Sequence, residues 1–220
     1  MMGYYPIAID LTGKRALVVG GGEVALRKVE ALLESGARVT VVAPEVAPEI
    51  ERLAESGKIV LRRRNYEAGD LADAVLAIAA TDDREVNLRV SEDARGANVL
   101  VNVVDDPELC SFIVPATVKR GDLVVSIITG GKSPALARRV REKIEETFGP
   151  EYGDLAELLG EVRELARDRI ESQPVRERVF EAILDSEVAD LLRQGRSADA
   201  HVLALEILEG FRVQGSGFTE

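Results

Sequence analysis

Along the first hundred residues, uninterrupted apolar runs alternate with stretches whose apolar positions recur every three or four residues. The run Ala16-Leu17-Val18-Val19 has no polar break, as a strand buried on both faces requires. Ala25, Val29, Leu32 and Leu33 then fall at i, i+4, i+7 and i+8, which is one face of a helix, and Gly36 supplies its stop. Further strands are predicted over 39–43, 59–61, 74–79 and 99–103, with helices over 48–56 and 84–95 between them. Asp82 or Asp83 serves as N-cap of the second of these helices. Such alternation predicts an α/β chain that begins with a Rossmann-like parallel sheet covered by helices.

After Asp105 the rhythm changes. Two apolar runs, 112–114 and 123–128, flank the turn-like Lys119-Arg120-Gly121-Asp122 and predict a hairpin or a pair of edge strands. Ser133 as N-cap and Pro134 at the first helical position then open a helix. Its stripe Leu136, Val140, Ile144 and Phe148 belongs either to the core or to a subunit contact. Beyond residue 150 no strand signal remains, and 154–171, 175–184, 186–194 and 198–210 read as a helical module; the polar end, 214–220, is expected to fray. The predicted parts are a Rossmann domain over 1–113, a small α+β segment over 114–150 and a helical C-terminal module over 151–220.

Length and composition narrow the function. A chain of 220 residues can hold one full core and an appended module, and 46% hydrophobic with 30% charged residues is a globular composition. No apolar run approaches the ~20 residues that cross a bilayer, and residues 1–10 lack the basic and apolar regions of a secretory signal. Cys110 is the only cysteine, so neither an internal disulfide nor a multi-cysteine metal site is expected. A cytoplasmic protein with no membrane partner is predicted. Net charge is −11, and residues 151–220 hold 16 acidic against 8 basic side chains. That acidity repels a polyanion, so no nucleic-acid partner is expected, and an anionic ligand needs a locally basic cleft nearer the middle of the chain.

Directly after the first strand stands Gly20-Gly21-Gly22-Glu23-Val24-Ala25, a G-x-G-x-x-A loop leading into a helix. Gly20 permits the tight turn, Gly22 lets the backbone approach a pyrophosphate, and Ala25 lets helix and strand pack closely. The pyrophosphate would sit on unpaired N–H groups at the helix N-terminus. Dinucleotide sites commonly place an acid at the end of the second strand, whereas here Ala43-Pro44-Glu45 stands there. Glu45 reads equally as a ribose ligand or as a solvated turn residue. The absence of an arginine at 43–45 to grip a 2′-phosphate tilts the reading from NADP toward NAD.

In open α/β sheets ligands bind beyond the C-terminal ends of the strands, which brings in Thr81, Asn102 and Asp105. Asp105 follows the fifth strand, where a carboxylate could take a proton as hydride leaves a substrate; it reads equally as a turn residue of Asp105-Asp106-Pro107. Thr81 and Asn102 either bond the ribose and nicotinamide or cap strand ends. Lys132, Arg138, Arg139, Arg141 and Lys143 form the densest basic cluster downstream, suited to an anionic substrate or simply to a solvated helix face. Arg62-Arg63-Arg64 is read as a surface run. His201, the sole histidine, is read as structural or solvated, and without a second histidine no Ser-His or two-histidine metal arrangement can form. No metal site is predicted.

Read together, these stretches resemble the family of precorrin-2 dehydrogenases and sirohydrochlorin ferrochelatases, which includes the N-terminal part of bacterial sirohaem synthase. The matching segments are Tyr5-Pro6-Ile7, Val18-Val19 with the glycine loop through Ala25 and Arg27-Lys28, and Val41-Val42-Ala43-Pro44. They continue with Ala79-Ala80-Thr81-Asp82-Asp83, Asn102-Val103-Val104-Asp105, Ser111-Phe112-Ile113-Val114-Pro115-Ala116 and Gly130-Gly131-Lys132-Ser133-Pro134. The resemblance implies NAD-dependent oxidation of precorrin-2, an octacarboxylate tetrapyrrole, to sirohydrochlorin. It implies that Glu23, Val24, Pro44 and Glu45 serve NAD, joining Gly20, Gly21 and Gly22 of the loop and Thr81 and Asn102 at the strand ends as the expected cofactor residues, and that Asp105 is catalytic, with a share in metal insertion where a member has that activity. It further implies a homodimer joined through 114–150; within that segment Lys132, Ser133 and Arg138 are the residues expected to meet the substrate. Thr129 stands where some members carry serine, and at this length the methyltransferase domain of fused synthases is not expected. The competing reading is a non-enzymatic NAD-sensing module of the potassium-transport regulatory kind, which shares the glycine loop and the Thr-Asp-Asp stretch.

Overall fold

The computed structural model describes residues 4–215. The chain divides after Val114 into two compact units. In the first, β1 (Arg15–Val19), β2 (Arg38–Val42), β3 (Ile59–Arg62), β4 (Ala74–Ala79) and β5 (Leu100–Val103) form one parallel sheet in the order β3-β2-β1-β4-β5. Helices α1 (Glu23–Glu34), α2 (Pro48–Glu55) and α3 (Arg84–Gly96) connect them. The Rossmann-like sheet expected from the alternating pattern is therefore present, and the predicted strand and helix spans agree with it to within a residue or two.

The register shows why the strands read as continuous apolar runs. Val18 lies between Val41 of β2 and Ile78 of β4. Successive residues point to opposite faces, and both faces are covered. Ala16, Val18, Val39, Val41 and Ile78 pack with Ala25, Val29 and Leu32 of α1 and Ile50 of α2. On the other face Leu17, Val19, Ala77, Ala79, Val101 and Val103 pack with Val90 and Ala94 of α3. Glu34 ends α1 and Gly36 follows with φ +74°, the left-handed stop that glycine adopts without steric cost. Of the two candidate caps, Asp83 is the one that accepts N–H bonds, from Glu85 and Val86.

The basic run after β3 differs from the surface reading. Arg62 and Arg64 both bond the carboxylate of Asp70, which is wholly buried in the 3-10 turn Ala68–Leu71, and the Glu67 N–H donates to it as well. Arg15 of β1 donates to the Asp70 and Ala72 carbonyls. Burial alone would raise the Asp70 pKa; the bonds from Arg64, Glu67 and Arg62 outweigh it and hold the group at about 2. Arg63 pairs with Glu51 and stays half exposed.

In the second unit, β6 (Ala116–Arg120) and β7 (Leu123–Ile127) form an antiparallel hairpin. The first strand of the hairpin is thus 116–120, and the apolar run 112–114 is not a strand. Those residues are held as an irregular segment: Ser111 exchanges bonds with Val101, Phe112 packs on the sheet core, and its carbonyl accepts from Asn102 Nδ2. Helix α4 (Pro134–Thr147) begins, as expected, on Ser133, whose hydroxyl accepts the Leu136 N–H. Its apolar stripe is not core in this chain. Leu136 is 54% exposed, Val140, Ile144 and Phe148 are half-buried, and Ala137 is the buried position. Helices α5 (Glu151–Arg169), α6 (Gln173–Leu184), α7 (Val188–Arg193) and α8 (Ser197–Gly215) share a separate core around Val162, Ile183 and Leu208. Helix α8 continues past the predicted end at 210 and into the stretch expected to fray; residues 216–220 of that stretch lie outside the described residues.

Candidate functional site

The C-terminal ends of β1, β2 and β4 border a cleft of about 470 Å³. It opens where strand order reverses beside β1, the position at which doubly wound sheets bind ligands. Gly20, Gly21, Gly22, Glu23, Val24, Pro44, Glu45 and Thr81 all line it. Eight of the nine predicted cofactor residues are therefore brought together. Asn102 is not among the lining residues. It sits on β5 and donates to the Phe112 carbonyl at 3.1 Å, so its amide anchors the 110–112 segment.

The three glycines differ in what demands them. Gly20 has φ +125°, and a Cβ there would stand 2.3 Å from the Ala80 carbonyl oxygen. A Cβ on Gly21 would stand 2.0 Å from the Glu45 carbonyl oxygen, because the loop after β2 lies across it and Ala47 N–H donates to the Gly21 carbonyl. At Gly22 a Cβ would meet nothing of the protein within 4 Å. Gly22 caps α1 without a side-chain bond, so the first N–H groups of the helix are without capping partners. The opening over Gly22 and those donors form a cradle that suits an anion.

The remaining lining chemistry is acidic. Glu23, Glu45, Asp82 and Asp83 contribute carboxylates, and among the described residues no lysine or arginine lines the cleft. A pyrophosphate would thus be held by backbone donors and the helix dipole, while carboxylates suit ribose hydroxyls; a 2′-phosphate would meet like charge. Thr81 is committed to its own turn. Its hydroxyl donates to Asn87 Oδ1 at 2.8 Å, accepts from Asp83 N–H, and its carbonyl accepts from Asn87 Nδ2 at 2.9 Å.

Sequence reading missed Asn65, Tyr66 and Asn87. Asn65 and Tyr66 line the cleft from the loop after β3. Tyr66 is buried, its hydroxyl donates to Asp93, and Arg89 lies 5.9 Å from its ring centre; burial, then the Asp93 bond, raises its pKa. A polar Asn87 on the inner face of α3, between Val86 and Val90, was the available signal.

Asp105 lies in the turn after β5 with φ +61°, a left-handed conformation that non-glycine residues seldom adopt. The turn is pinned from behind by Cys110, whose Sγ accepts the Val103 N–H at 3.1 Å and lies 3.3 Å from the Val103 and Asp106 carbonyl oxygens. Asp105 is exposed. Half-buried Lys28 of α1 has its pKa lowered, first by burial and then by Arg27, against an opposing pull from the Asp105 carboxylate. Asp106 instead stands 3.9 Å from the exposed Arg84.

In the second unit Lys132 and Arg138 are exposed, and the Ser133 hydroxyl is the cap of α4. Thr129 closes the loop before it, bonding both the N–H and the carbonyl of Ser133 through its hydroxyl. Arg141 pairs with Glu145, and His201 pairs with Glu161 at 2.9 Å with both side chains about half exposed. Among the described residues no group of three or more His, Cys, Asp or Glu is placed to hold a metal ion, and no helix is long and apolar enough to cross a membrane.

Comparison with known proteins gives three family matches. Residues 7–116 match a family described as putative NAD(P)-binding, 120–147 one described as sirohaem biosynthesis protein central, and 151–208 one described as the sirohaem synthase dimerisation region. The siroheme synthase of Methylococcus capsulatus is 44% identical over 205 residues, which are 93% of this chain and 43% of that protein. That of Pseudomonas aeruginosa is 43% identical over 209 residues, 95% of this chain and 45% of that protein. The chain spans less than half the length of these curated relatives. A solved structure titled SirC, precorrin-2 dehydrogenase, is 30% identical with a TM-score of 0.75, covering 94% of this chain and 98% of that one. These matches leave the potassium-transport alternative without support.

Proposed function

The chain belongs to the sirohaem synthase and precorrin-2 dehydrogenase family, and from that premise we propose that it oxidises precorrin-2 to sirohydrochlorin with NAD as hydride acceptor. The observation that carries the cofactor assignment is Gly22. Its Cβ direction is open at an uncapped helix N-terminus, in a cleft lined by carboxylates and, among the described residues, by no lysine or arginine. Those residues fit NAD better than NADP. Gly22, Glu23 and Val24 would offer backbone donors to the pyrophosphate, and Glu45 would bond the ribose.

Dehydrogenation removes two hydrogens from the macrocycle, one as hydride and one as a proton. Bound NAD supplies the hydride acceptor. Asp105, held on a turn at the end of β5, takes the proton. Lys132, Ser133 and Arg138 bind the substrate's carboxylates. The working parts are the Rossmann domain 1–113, the segment 114–150 with the substrate residues, and the helical module 151–220, which shares with 114–150 the joining of subunits in a cytoplasmic homodimer. The match of 151–208 to a dimerisation region supports the dimer.

The test is NADH absorbance at 340 nm with enzymatically made precorrin-2, followed by addition of iron or cobalt. NADH formation is expected. Turnover that needs NADP, or none with either cofactor, overturns the reading, and the spectrum after metal addition decides whether chelatase activity accompanies it.

A further inference from the structure

Lys28 stands on α1 four residues after Val24, which lines the glycine-loop cleft, and residues at that spacing share one helix face. Its side chain thus starts one turn along α1 from the cofactor cleft, and it is half-buried. The same stretch of helix meets the end of β5. Ala25 and Val29, on either side of Lys28, belong to the core cluster on which Val104 packs, and Val104 leads directly into Asp105.

A charge drawn out of water is ordinarily paired, and this one is not. Among the described residues the Lys28 ammonium takes part in no hydrogen bond or ion pair; burial and then Arg27 lower its pKa, and Asp105 is the carboxylate that pulls the other way. The expected substrate brings eight carboxylates toward Asp105, past a cleft that already holds Glu23, Glu45, Asp82 and Asp83. Like charges would repel at that approach. A cation on the α1 face offsets the repulsion, and a substrate carboxylate supplies the partner that the ammonium lacks.

We propose that Lys28 binds a side-chain carboxylate of the tetrapyrrole and so holds an edge of the macrocycle between α1 and the Asp105 turn. This rests on the precorrin-2 reading above and adds to it a substrate residue within the Rossmann domain itself.

Initial rates of NADH formation in the full chain, with precorrin-2 varied at saturating NAD, test it. Lys28→Met keeps the apolar stem and removes the charge, so melting temperature and NAD affinity should hold. Its KM for precorrin-2 is expected to rise at least about tenfold, the worth of one charge-assisted hydrogen bond, with kcat nearly unchanged, as the loss of a binding contact requires. Lys28→Arg should recover most of that loss, and added salt should raise the wild-type KM more steeply than that of Lys28→Met. An unchanged KM in folded Lys28→Met, or a Lys28→Arg no better than Lys28→Met, overturns the anchor while the dehydrogenase stands. NAD affinity that falls in step with KM assigns the ammonium to the cofactor and overturns the anchor as well. A wild-type chain that forms no NADH from precorrin-2 overturns both.

Discussion

Thr81 and Asn87 clasp each other across the first turn of α3, through the hydroxyl-to-amide bond of 2.8 Å and the amide-to-carbonyl bond of 2.9 Å. The clasp fixes the stretch after β4 that forms one lip of the glycine-loop cleft. Asn87→Leu keeps the volume and removes both bonds, leaving the Thr81 carbonyl without its Asn87 donor while the hydroxyl keeps its contacts with the Asp83 backbone. A loss of about 1–3 kcal/mol is expected, with a weaker NAD affinity, measured by denaturant titration and calorimetry.

Adjacent glycines should separate folding from binding. Gly21→Ala drives a Cβ into the Glu45 carbonyl, and overpacking of this kind costs about 1–3 kcal/mol, so its melting temperature should fall. Gly22→Asp has open space in the protein but sets a carboxylate where the pyrophosphate must lie. Its melting temperature should hold and its NAD binding should vanish. Undiminished NAD affinity in folded Gly22→Asp removes the phosphate-loop assignment.

Asp105→Ala is expected to lose at least about 100-fold in turnover, the lower end of general-base catalysis, with NAD affinity nearly unchanged. Asp106→Ala is the control, since its 3.9 Å pairing with exposed Arg84 is worth little. If Asp106→Ala is the damaging change, the base is the neighbouring carboxylate; if neither matters, proton removal does not occur on this turn.

The Asp70 cluster predicts an acid limb of stability. Its carboxyl is held at about 2, below its ordinary value of 3.8, so the folded state gains stability that is complete above about pH 4 and is lost as pH falls toward 2. The size is on the order of 2 kcal/mol at most, less where salt screens the partly exposed arginines. Asp70→Asn should flatten that limb in denaturation curves measured between pH 5 and 2.

What the sequence revealed was local. The apolar runs of the five parallel strands, the glycine loop, Ser133 as a cap and Gly36 as a stop are each set by residues within a few positions. What it hid depends on distant partners. Gly21 reads as a variable position until the Glu45 carbonyl, on a different loop, is laid over it. Arg62 and Arg64 read as surface charges because Asp70 lies beyond an intervening turn. The run 112–114 mimics a strand because Phe112 is apolar for packing against the sheet, whereas the true strand, Ala116–Arg120, is half polar because alternate residues are exposed. Asn102 lies beside the catalytic candidate in sequence, yet its amide is spent on the backbone of the following segment.

Cys110 gives the Asp105 turn a readout of its own. Burial raises the thiol's pKa, and its sulfur is occupied by the Val103 and Asp106 backbone, so in the closed turn it is a poor nucleophile. Partly exposed in the closed turn, it should react slowly with an alkylating reagent there and faster when the segment swings open and frees the sulfur. Because the chain has no other cysteine, the labelling rate reports on this segment alone and rises with its opening. The molecule thus carries, immediately behind its catalytic candidate, a clock for how often that turn comes undone, and a tetrapyrrole that braces the turn should slow it.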